Sequence, residues 1–237
     1  MTAASFEGFP LEEAIAARAA SAGITLPPAQ AASVAAHARA VLRGAEKLHL
    51  TTVVEPAEFV ERHIGESLEG AALIEPGTAG VLLDVGSGNG YPGLVLSAAR
   101  PGLSAVLAEA SARKAEFLRQ AIREAGFETA RVMERQVQRA TDLTDLAGGI
   151  RLIVTRAAGG WERVVPRLLP SLAPSGEILV WAGEDLETVR VRVVWRRLEL
   201  IERRPLPGRE RSWVWRFRAA AREPCLAATS RTNLKRK

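Results

Sequence analysis

The chain is poor in cysteine and histidine and has no long apolar run. Its single cysteine, Cys225, cannot form an internal disulfide, which favours a reducing, cytoplasmic location. His37, His49 and His63 are scattered and form no cluster with metal-ligand spacing, so we predict no metal site. No run of about 18 apolar residues exists, and the N-terminus lacks the pattern of a signal peptide. We therefore expect no contact with a membrane.

The chain has enough apolar residues to build a sizeable core. Of its 237 residues, 47% are hydrophobic, which favours one domain with an appendage. The net charge of +5 is unevenly placed, because ten arginines fall between Arg190 and Arg218 and the chain ends in Lys235-Arg236-Lys237. Such a basic region is typical of proteins that bind polyanions such as RNA or DNA. The alternative is an arginine-rich composition on ordinary solvated surfaces.

Apolar periodicity divides the chain into three parts. We predict a helical N-terminal segment over residues 1–77, an α/β domain over residues 78–218 and a basic flexible tail over residues 219–237. In the second part, short apolar runs alternate with helical patterns, which predicts a mainly parallel sheet with helices on both faces. The alternating segments Val191–Glu202 and Ser212–Arg218 predict a closing antiparallel pair. The expected fold is a doubly wound, Rossmann-like α/β fold whose last strand is antiparallel.

A glycine-rich loop follows the first predicted strand, Val81–Val85. It reads Gly86-Ser87-Gly88-Asn89-Gly90-Tyr91-Pro92-Gly93 and leads into a helix. Glycines let the backbone approach a ligand closely, and the start of a helix offers free N–H groups. The loop therefore predicts a nucleotide-like ligand, although such a pattern alone also fits a tight structural turn.

Two acidic residues make the prediction more specific. Asp84, two residues before the first glycine, is placed to meet the cationic amino-acid end of S-adenosylmethionine through a water molecule. Glu109 ends the second predicted strand, where an acidic side chain can accept both ribose hydroxyls. An NAD site shares the ribose acid but gives no reason for Asp84. The pattern favours a methyl donor over another nucleotide.

The loop resembles that of the bacterial small-subunit (16S) ribosomal RNA guanine-N7 methyltransferases, the GidB or RsmG family. Its Gly-x-Pro-Gly ending is unusual among methyltransferases. Further matches extend the resemblance from about Leu42 to Arg218: Arg62-His63 with Glu66-Ser67, Glu109 with Arg113-Lys114 and Phe117-Leu118-Arg119, Thr155-Arg156-Ala157, and Glu210-Arg211. The resemblance implies a class I methyltransferase fold, S-adenosylmethionine as cofactor and ribosomal RNA or the small ribosomal subunit as partner, with the protein acting as a monomer.

The chain departs from the family pattern at several positions. His49 replaces an asparagine, Ala182 a lysine and Ser212 a histidine, and Gln136-Val137-Gln138 replaces Arg-x-Glu. The donor loop itself is intact. Methyl transfer is therefore expected, while a different RNA or small-molecule substrate, or a non-catalytic RNA-binding descendant, remains an alternative.

The expected site has a donor side and an RNA side. We predict that the cofactor binds at Asp84, Gly86, Ser87, Gly88, Gly90, Tyr91, Glu109, Gln136, Val137, Gln138 and Arg156. On the RNA side we predict Arg62, His63 and Arg211, with Trp161 and Trp181 as candidates for stacking on a base.

Arg156 is also the predicted catalytic residue. It follows the fourth strand at the sheet edge where ligands bind, and its guanidinium suits a guanine O6 or a phosphate. Guanine N7 already carries a lone pair, so its methylation needs no general base and depends on positioning. The function expected from the sequence is transfer of a methyl group from S-adenosylmethionine to N7 of a guanine in 16S ribosomal RNA.

Overall fold

The computed structural model describes residues 6–146, 149–156, 160–190 and 193–220. Cys225 and most of the predicted basic tail lie outside these residues, as does Ala157 of the Thr155-Arg156-Ala157 match. Among the described residues, no helix is both long enough and apolar enough to cross a membrane.

The described strands form one seven-stranded sheet, in the order β3-β2-β1-β4-β5-β7-β6. The strands are β1 (Gly80–Val85), β2 (Leu103–Glu109), β3 (Arg131–Glu134), β4 (Ile150–Arg156), β5 (Leu172–Gly183), β6 (Leu198–Pro205) and β7 (Ser212–Ala219). All neighbouring strands run parallel except that β7 is antiparallel to both β5 and β6. The predicted doubly wound fold with an antiparallel last strand is confirmed.

Helices cover both faces of the sheet. They are α1 (Leu11–Ser21), α2 (Pro28–Leu48), α3 (Pro56–Phe59), α4 (Glu66–Ala71), α5 (Gly93–Ala99), α6 (Ala112–Ala125), α7 (Trp161–Leu168) and α8 (Asp185–Arg190). A π-helical stretch, Val60–Gly65, joins α3 to α4, so this part of the predicted helical N-terminal segment is helical but irregular. Short 3₁₀ segments lie at Ala140–Leu146, Leu169–Ser171 and Val193–Arg197.

Alternation along the strands creates two separate cores. Leu82 packs with the N-terminal helices on one face, whereas the next residue, Leu83, packs with α7 and α8 on the other. The same alternation separates Leu152 from Ile153 in β4. The N-terminal helices therefore share one core with α5, α6 and one face of the sheet.

One predicted strand begins later than expected. Val193–Arg197 is a 3₁₀ segment, and β6 starts only at Leu198. The β-branched pattern was misleading because Trp195 is buried and its indole N–H donates to the carbonyl of Glu162 across 2.8 Å. This tertiary contact outweighs the local strand preference.

Candidate functional site: two cavities at the carboxyl end of β4

The glycine loop between β1 and α5 approaches buried side chains at two glycines. A Cβ at Gly90, whose φ is +92°, would lie 2.8 Å from Nε2 of His37. A Cβ at Gly93 would lie 2.7 Å from a carboxylate oxygen of Asp84. Both distances are shorter than a carbon atom tolerates. The loop can therefore close over Asp84 and His37 only with glycine at these positions.

Asp84 lies beneath the loop and is only 1% exposed. Its Oδ2 accepts the backbone N–H of Gly93 across 3.0 Å at the start of α5, while its buried Oδ1 has no hydrogen-bond partner. Burial raises the pKa of Asp84 to about 7. A buried acceptor without a donor is costly, so this oxygen is suited to a cationic or hydrogen-bonding group of a ligand.

Glu109 ends β2 and ties the loop to the next helix. Its Oε2 accepts the N–H of Gly88 across 2.9 Å, and its Oε1 accepts the N–H of Ser111 across 2.8 Å. Ser111 in turn caps α6. The carboxylate keeps further lone pairs for ligand hydroxyls, because each oxygen accepts only one of these bonds.

A first cavity of about 270 Å³ opens beside Glu109. Five of the predicted donor residues line it: Gly86, Glu109, Gln136, Val137 and Gln138. Its remaining wall is largely apolar and includes Ile153, Val165 and Leu168. Asp142 holds one wall in place by accepting the N–H of Gln138 across 2.8 Å. An apolar slot with an acid and two amides at its rim suits an adenosine group.

Ser87 and Tyr91, which were also predicted to bind the donor, do not line the first cavity. Ser87 is buried and donates from its hydroxyl to the carbonyl of Asp84. Tyr91 is 3% exposed, and burial raises its pKa. Its ring stacks on His63 with the centroids 5.2 Å apart and an interplanar angle of 17°. These residues shape the loop from inside the protein.

A second cavity of about 330 Å³ lies on the opposite face of the sheet. Arg156 lines this cavity, whereas its neighbour Thr155 lines the first one. Successive side chains of a strand point to opposite faces, so the two cavities lie on opposite sides of the carboxyl end of β4. Arg62, His63, Glu66 and Arg209 also line the second cavity.

Arg156 is held on two sides. Its Nη1 donates to the carbonyl of Arg62 across 3.1 Å, and its Nη2 donates to Nδ1 of His63 across 3.2 Å. Nη1 also lies 3.7 Å from a carboxylate oxygen of Glu66. The side chain is 15% exposed. The predicted residues Arg62, His63 and Arg156 are thus brought together.

His63 is 9% exposed, so most of its ring faces protein. Burial and the neighbouring Arg156 lower the pKa of His63 to about 3, and the ring is uncharged at neutral pH. Its direct RNA contact remains a prediction, and the observed contacts are with Tyr91, Thr51 and Arg156.

Arg211 lines neither cavity, although the adjacent Ser212 lines the second one. Its guanidinium pairs with Glu184, and its side chain is 72% exposed. The two tryptophans proposed to stack on a base line different cavities, Trp161 the first and Trp181 the second. Trp181 is 5% exposed and donates from its indole N–H to the carbonyl of Glu66 across 2.9 Å.

Two residues in and around the second cavity were missed in the sequence. The hydroxyl of Thr51 lies 2.7 Å from Nε2 of His63, which lines the cavity. Arg209 contacts Glu66 across 2.5 Å although the two are 143 positions apart. Local patterns carry no signal for a contact of that separation.

Comparisons with known proteins identify the family of this chain. The family model described as GidB, rRNA small subunit methyltransferase G, matches residues 30–192. A ribosomal RNA small subunit methyltransferase G from Sorangium cellulosum is 34% identical over 186 residues, covering 77% of this chain and 77% of that protein. Its namesake from Alkalilimnicola ehrlichii is 31% identical over 178 residues, covering 74% and 77%.

A solved structure supports the fold alone. The structure of a predicted O-methyltransferase from Agrobacterium tumefaciens superposes with a TM-score of 0.55 at 17% identity, covering 68% of this chain and 82% of that one. At this identity the likeness concerns the architecture of the sheet and helices. Together with the family match over most of the α/β part, it leads to one assignment. The chain belongs to the rRNA small subunit methyltransferase G family.

Proposed function

We propose that this protein transfers the methyl group of S-adenosylmethionine to N7 of a guanine in 16S ribosomal RNA. The observation that carries the proposal is the pairing of two cavities at the carboxyl end of β4, one suited to adenosine and one lined by arginines. Family membership supports both the reaction and the RNA.

The residues of the first cavity fit the cofactor. The carboxylate of Glu109 would accept the ribose hydroxyls, and Gln138 would meet the adenine amino group through its amide oxygen. The unpartnered Oδ1 of Asp84 offers an acceptor for the cationic amino-acid end, directly or through water. When bound, S-adenosylmethionine supplies an electrophilic methyl group, and the chain's own residues fix its position.

The second cavity fits an acceptor that needs no base. The N7 lone pair of guanine attacks the methyl carbon, the carbon–sulfur bond breaks, and no proton must be removed first. Nδ1 of His63 already accepts a bond from Arg156, so this imidazole is not placed to act as a base. The task of the protein is to align N7 with the carbon–sulfur bond, and positioning contributes about 7–11 kcal/mol in well-oriented reactions.

Two departures from the family pattern fall in this second cavity. Ala182 and Ser212, which stand where the family has lysine and histidine, both line it. This favours a second candidate function, methylation of another nucleotide or another RNA by the same donor site. We also propose that the protein acts as a monomer in the cytoplasm, where small ribosomal subunits are found.

The test uses ribosomal RNA from a strain that lacks the gene. Purified protein and S-adenosylmethionine are incubated with free 16S RNA and with small subunits, and nucleosides are identified by mass spectrometry. N7-methylguanosine in either substrate supports the proposal. A different methylated nucleoside would favour the second candidate, and no methylation of either substrate would leave a non-catalytic RNA-binding protein.

A further inference from the structure

The second cavity contains one carboxylate surrounded by three guanidinium groups. Glu66 has a side chain only 4% exposed, and one of its oxygens lies 2.5 Å from Nε of Arg209. Arg156 approaches it at 3.7 Å and Arg62 at 3.9 Å. Each arginine comes from a different element: the π-helical stretch, the end of β4 and the loop between β6 and β7.

The charges of this cluster do not cancel. Three guanidinium groups and one carboxylate leave two positive charges, and His63 adds none because it is uncharged. Glu58 lies 3.8 Å from Nε of Arg62, but its side chain is 55% exposed and it is not among the cavity's lining residues. Even with Glu58 counted, one positive charge remains in excess. A partly buried excess charge is costly, so the cavity is suited to an anion.

Hydrogen-bond donors of the cluster also remain unused. Nε of Arg62 is buried and has no hydrogen-bond partner. Within the described residues, Arg209 makes its side-chain hydrogen bond only through Nε, which leaves its two Nη groups available. A guanidinium group presents a planar fork that matches phosphate oxygens, and the cluster offers such donors from several directions.

We propose that Arg62, Arg156 and Arg209 form a clamp for a phosphodiester group of the RNA beside the target guanine, with Glu66 holding the three arginines in place. This inference rests on the proposed function, since it assigns the anion to the RNA. The other available anion is the carboxylate of S-adenosylmethionine. Asp84 and Glu109 already favour placing the donor at the loop and the first cavity, so the phosphodiester is the better match.

The clamp predicts that the phosphate dominates nucleotide binding. With the protein saturated by S-adenosylhomocysteine, calorimetry should show guanosine 5′-monophosphate binding at least about tenfold more tightly than guanosine, from the usual strength of a charge-assisted hydrogen bond. Arg209→Gln should remove most of this difference, and Arg62→Gln should reduce it. Both variants should bind S-adenosylhomocysteine within a few-fold of the unmodified protein.

Arg218→Gln is the matched control. Its guanidinium pairs with Glu199 through two bonds of 2.9 Å at the end of β7, so the variant loses one charge and one ion pair outside the cavity. It should keep the preference for the monophosphate. With RNA fragments, Arg209→Gln should lower the slope of log K against log salt by about one, and Arg218→Gln should not.

Three results would overturn the clamp: equal or undetectable binding of the two nucleotides, equal behaviour of Arg209→Gln and Arg218→Gln, or collapse of S-adenosylhomocysteine binding in Arg209→Gln. A collapse of S-adenosylhomocysteine binding would mean that the arginines bind the carboxylate of the donor and not a phosphodiester group. The unmodified protein is also assayed for N7-methylguanosine. If the protein prefers the monophosphate but forms no N7-methylguanosine, the proposed function is wrong and the anion site stands. If N7-methylguanosine forms equally well with Arg209→Gln, the proposed function stands and the clamp is wrong.

Discussion

Arg156 donates a hydrogen bond to Nδ1 of His63 across 3.2 Å, and this contact fixes the tautomer of the imidazole. A guanidinium group can only donate, so Nδ1 is the acceptor and Nε2 carries the proton. Nε2 lies 2.7 Å from the hydroxyl oxygen of Thr51, which accepts a hydrogen bond from the Nε2–H group. Thr51 and His63 therefore form a chain of bonds that positions Arg156 from behind.

The first prediction concerns Thr51. Thr51→Val keeps the shape of the side chain but leaves the buried Nε2–H of His63 without an acceptor. We expect the free energy of unfolding to fall by about 1–3 kcal/mol in urea denaturation. Thr51→Ser restores the hydroxyl and should recover most of the loss. Equal stability of the valine and serine variants would show that the hydroxyl does not serve His63.

The second prediction concerns the pH dependence of stability. Burial raises the pKa of Asp84 from its ordinary value near 3.8 to about 7 in the folded protein. Between these values the folded state binds more protons at this carboxyl than the unfolded state, so its contribution to stability falls as pH rises. Asp84→Asn removes that contribution. Relative to the unmodified protein, the variant should gain on the order of 1 kcal/mol of stability per pH unit from about pH 4 to pH 7.

Asp84→Asn must be compared with the unmodified protein because two buried histidines change the stability with pH in the opposite direction. Burial lowers the pKa of His37 to about 4, and burial together with Arg156 lowers that of His63 to about 3. Both histidines therefore destabilise the fold as pH falls below about 6.5. Their contribution cancels in the difference between Asp84→Asn and the unmodified protein, measured without ligand. A difference that stays constant with pH would mean that Asp84 is ionised in the folded state.

The third prediction tests the donor cavity. Glu109→Ala should weaken S-adenosylhomocysteine binding at least about tenfold in calorimetry, because the ribose loses charge-assisted hydrogen bonds and the loop loses its tie at Gly88. Glu134→Ala is the control, since Glu134 pairs with Glu109 in the strand register and its carboxylate binds Arg119. The control should bind normally. Equal affinities of the two variants would place the ribose elsewhere.

The grouping of five predicted donor residues around the first cavity could be anticipated from sequence because its signals are local. The glycine loop, Asp84 and Glu109 lie at the ends of adjacent strands, and apolar runs are enough to locate those ends. A parallel sheet then brings the ends to one edge. The direction of a side chain is not local information. Asp84 was expected to face the ligand, yet one of its oxygens is bound to the start of α5.

The RNA side was harder to predict because its contacts join distant segments. Arg62, Arg156 and Arg209 meet around Glu66 only after three separate elements have packed together. The sequence patterns placed two of these arginines near the site. Nothing in the neighbourhood of Arg209 distinguishes it from the many other arginines of that region.

The structure also gives a different account of the arginine-rich region. Within the part of the region that the structure describes, six arginines pair with carboxylates: Arg203, Arg204, Arg209, Arg211, Arg216 and Arg218. An arginine whose charge is balanced by its own carboxylate attracts a phosphate less strongly. Arg209 differs because it shares the single carboxylate of Glu66 with Arg62 and Arg156. Much of the region's charge is therefore balanced within the protein, and its density in the sequence overstates its attraction for RNA.

The fourth prediction follows from one of these pairs. Arg216 is 10% exposed and bonds Glu177 across 2.9 Å and Glu202 across 2.8 Å. Arg216→Gln leaves a largely buried carboxylate unpaired and should lower the free energy of unfolding by about 3 kcal/mol or more. RNA affinity of the folded variant, and its salt dependence, should remain unchanged in binding titrations below the unfolding temperature. A normal stability with a reduced salt slope would instead make Arg216 a phosphate contact.

The fifth prediction separates donor binding from methyl transfer at Arg156. Arg156→Ala should bind S-adenosylhomocysteine within a few-fold of the unmodified protein, because Arg156 lines the second cavity and not the first. Methyl transfer to ribosomal RNA should fall at least about tenfold in single-turnover assays. A charge-assisted hydrogen bond contributes about 1.5–3 kcal/mol, and its loss in the transition state lowers the rate ten- to hundredfold.

A loss of activity in Arg156→Ala has a structural explanation that must be separated from the functional one. The guanidinium also bonds Arg62 and His63, so its removal disturbs the wall of the second cavity. Thr51→Val disturbs the same wall from behind His63 while leaving the guanidinium present, so it should lower the activity less than Arg156→Ala does. Arg156→Lys keeps the charge but not the planar fork, and it should remain impaired. Full activity of either Arg156 variant, or loss of donor binding together with activity, would show that Arg156 does not serve the RNA.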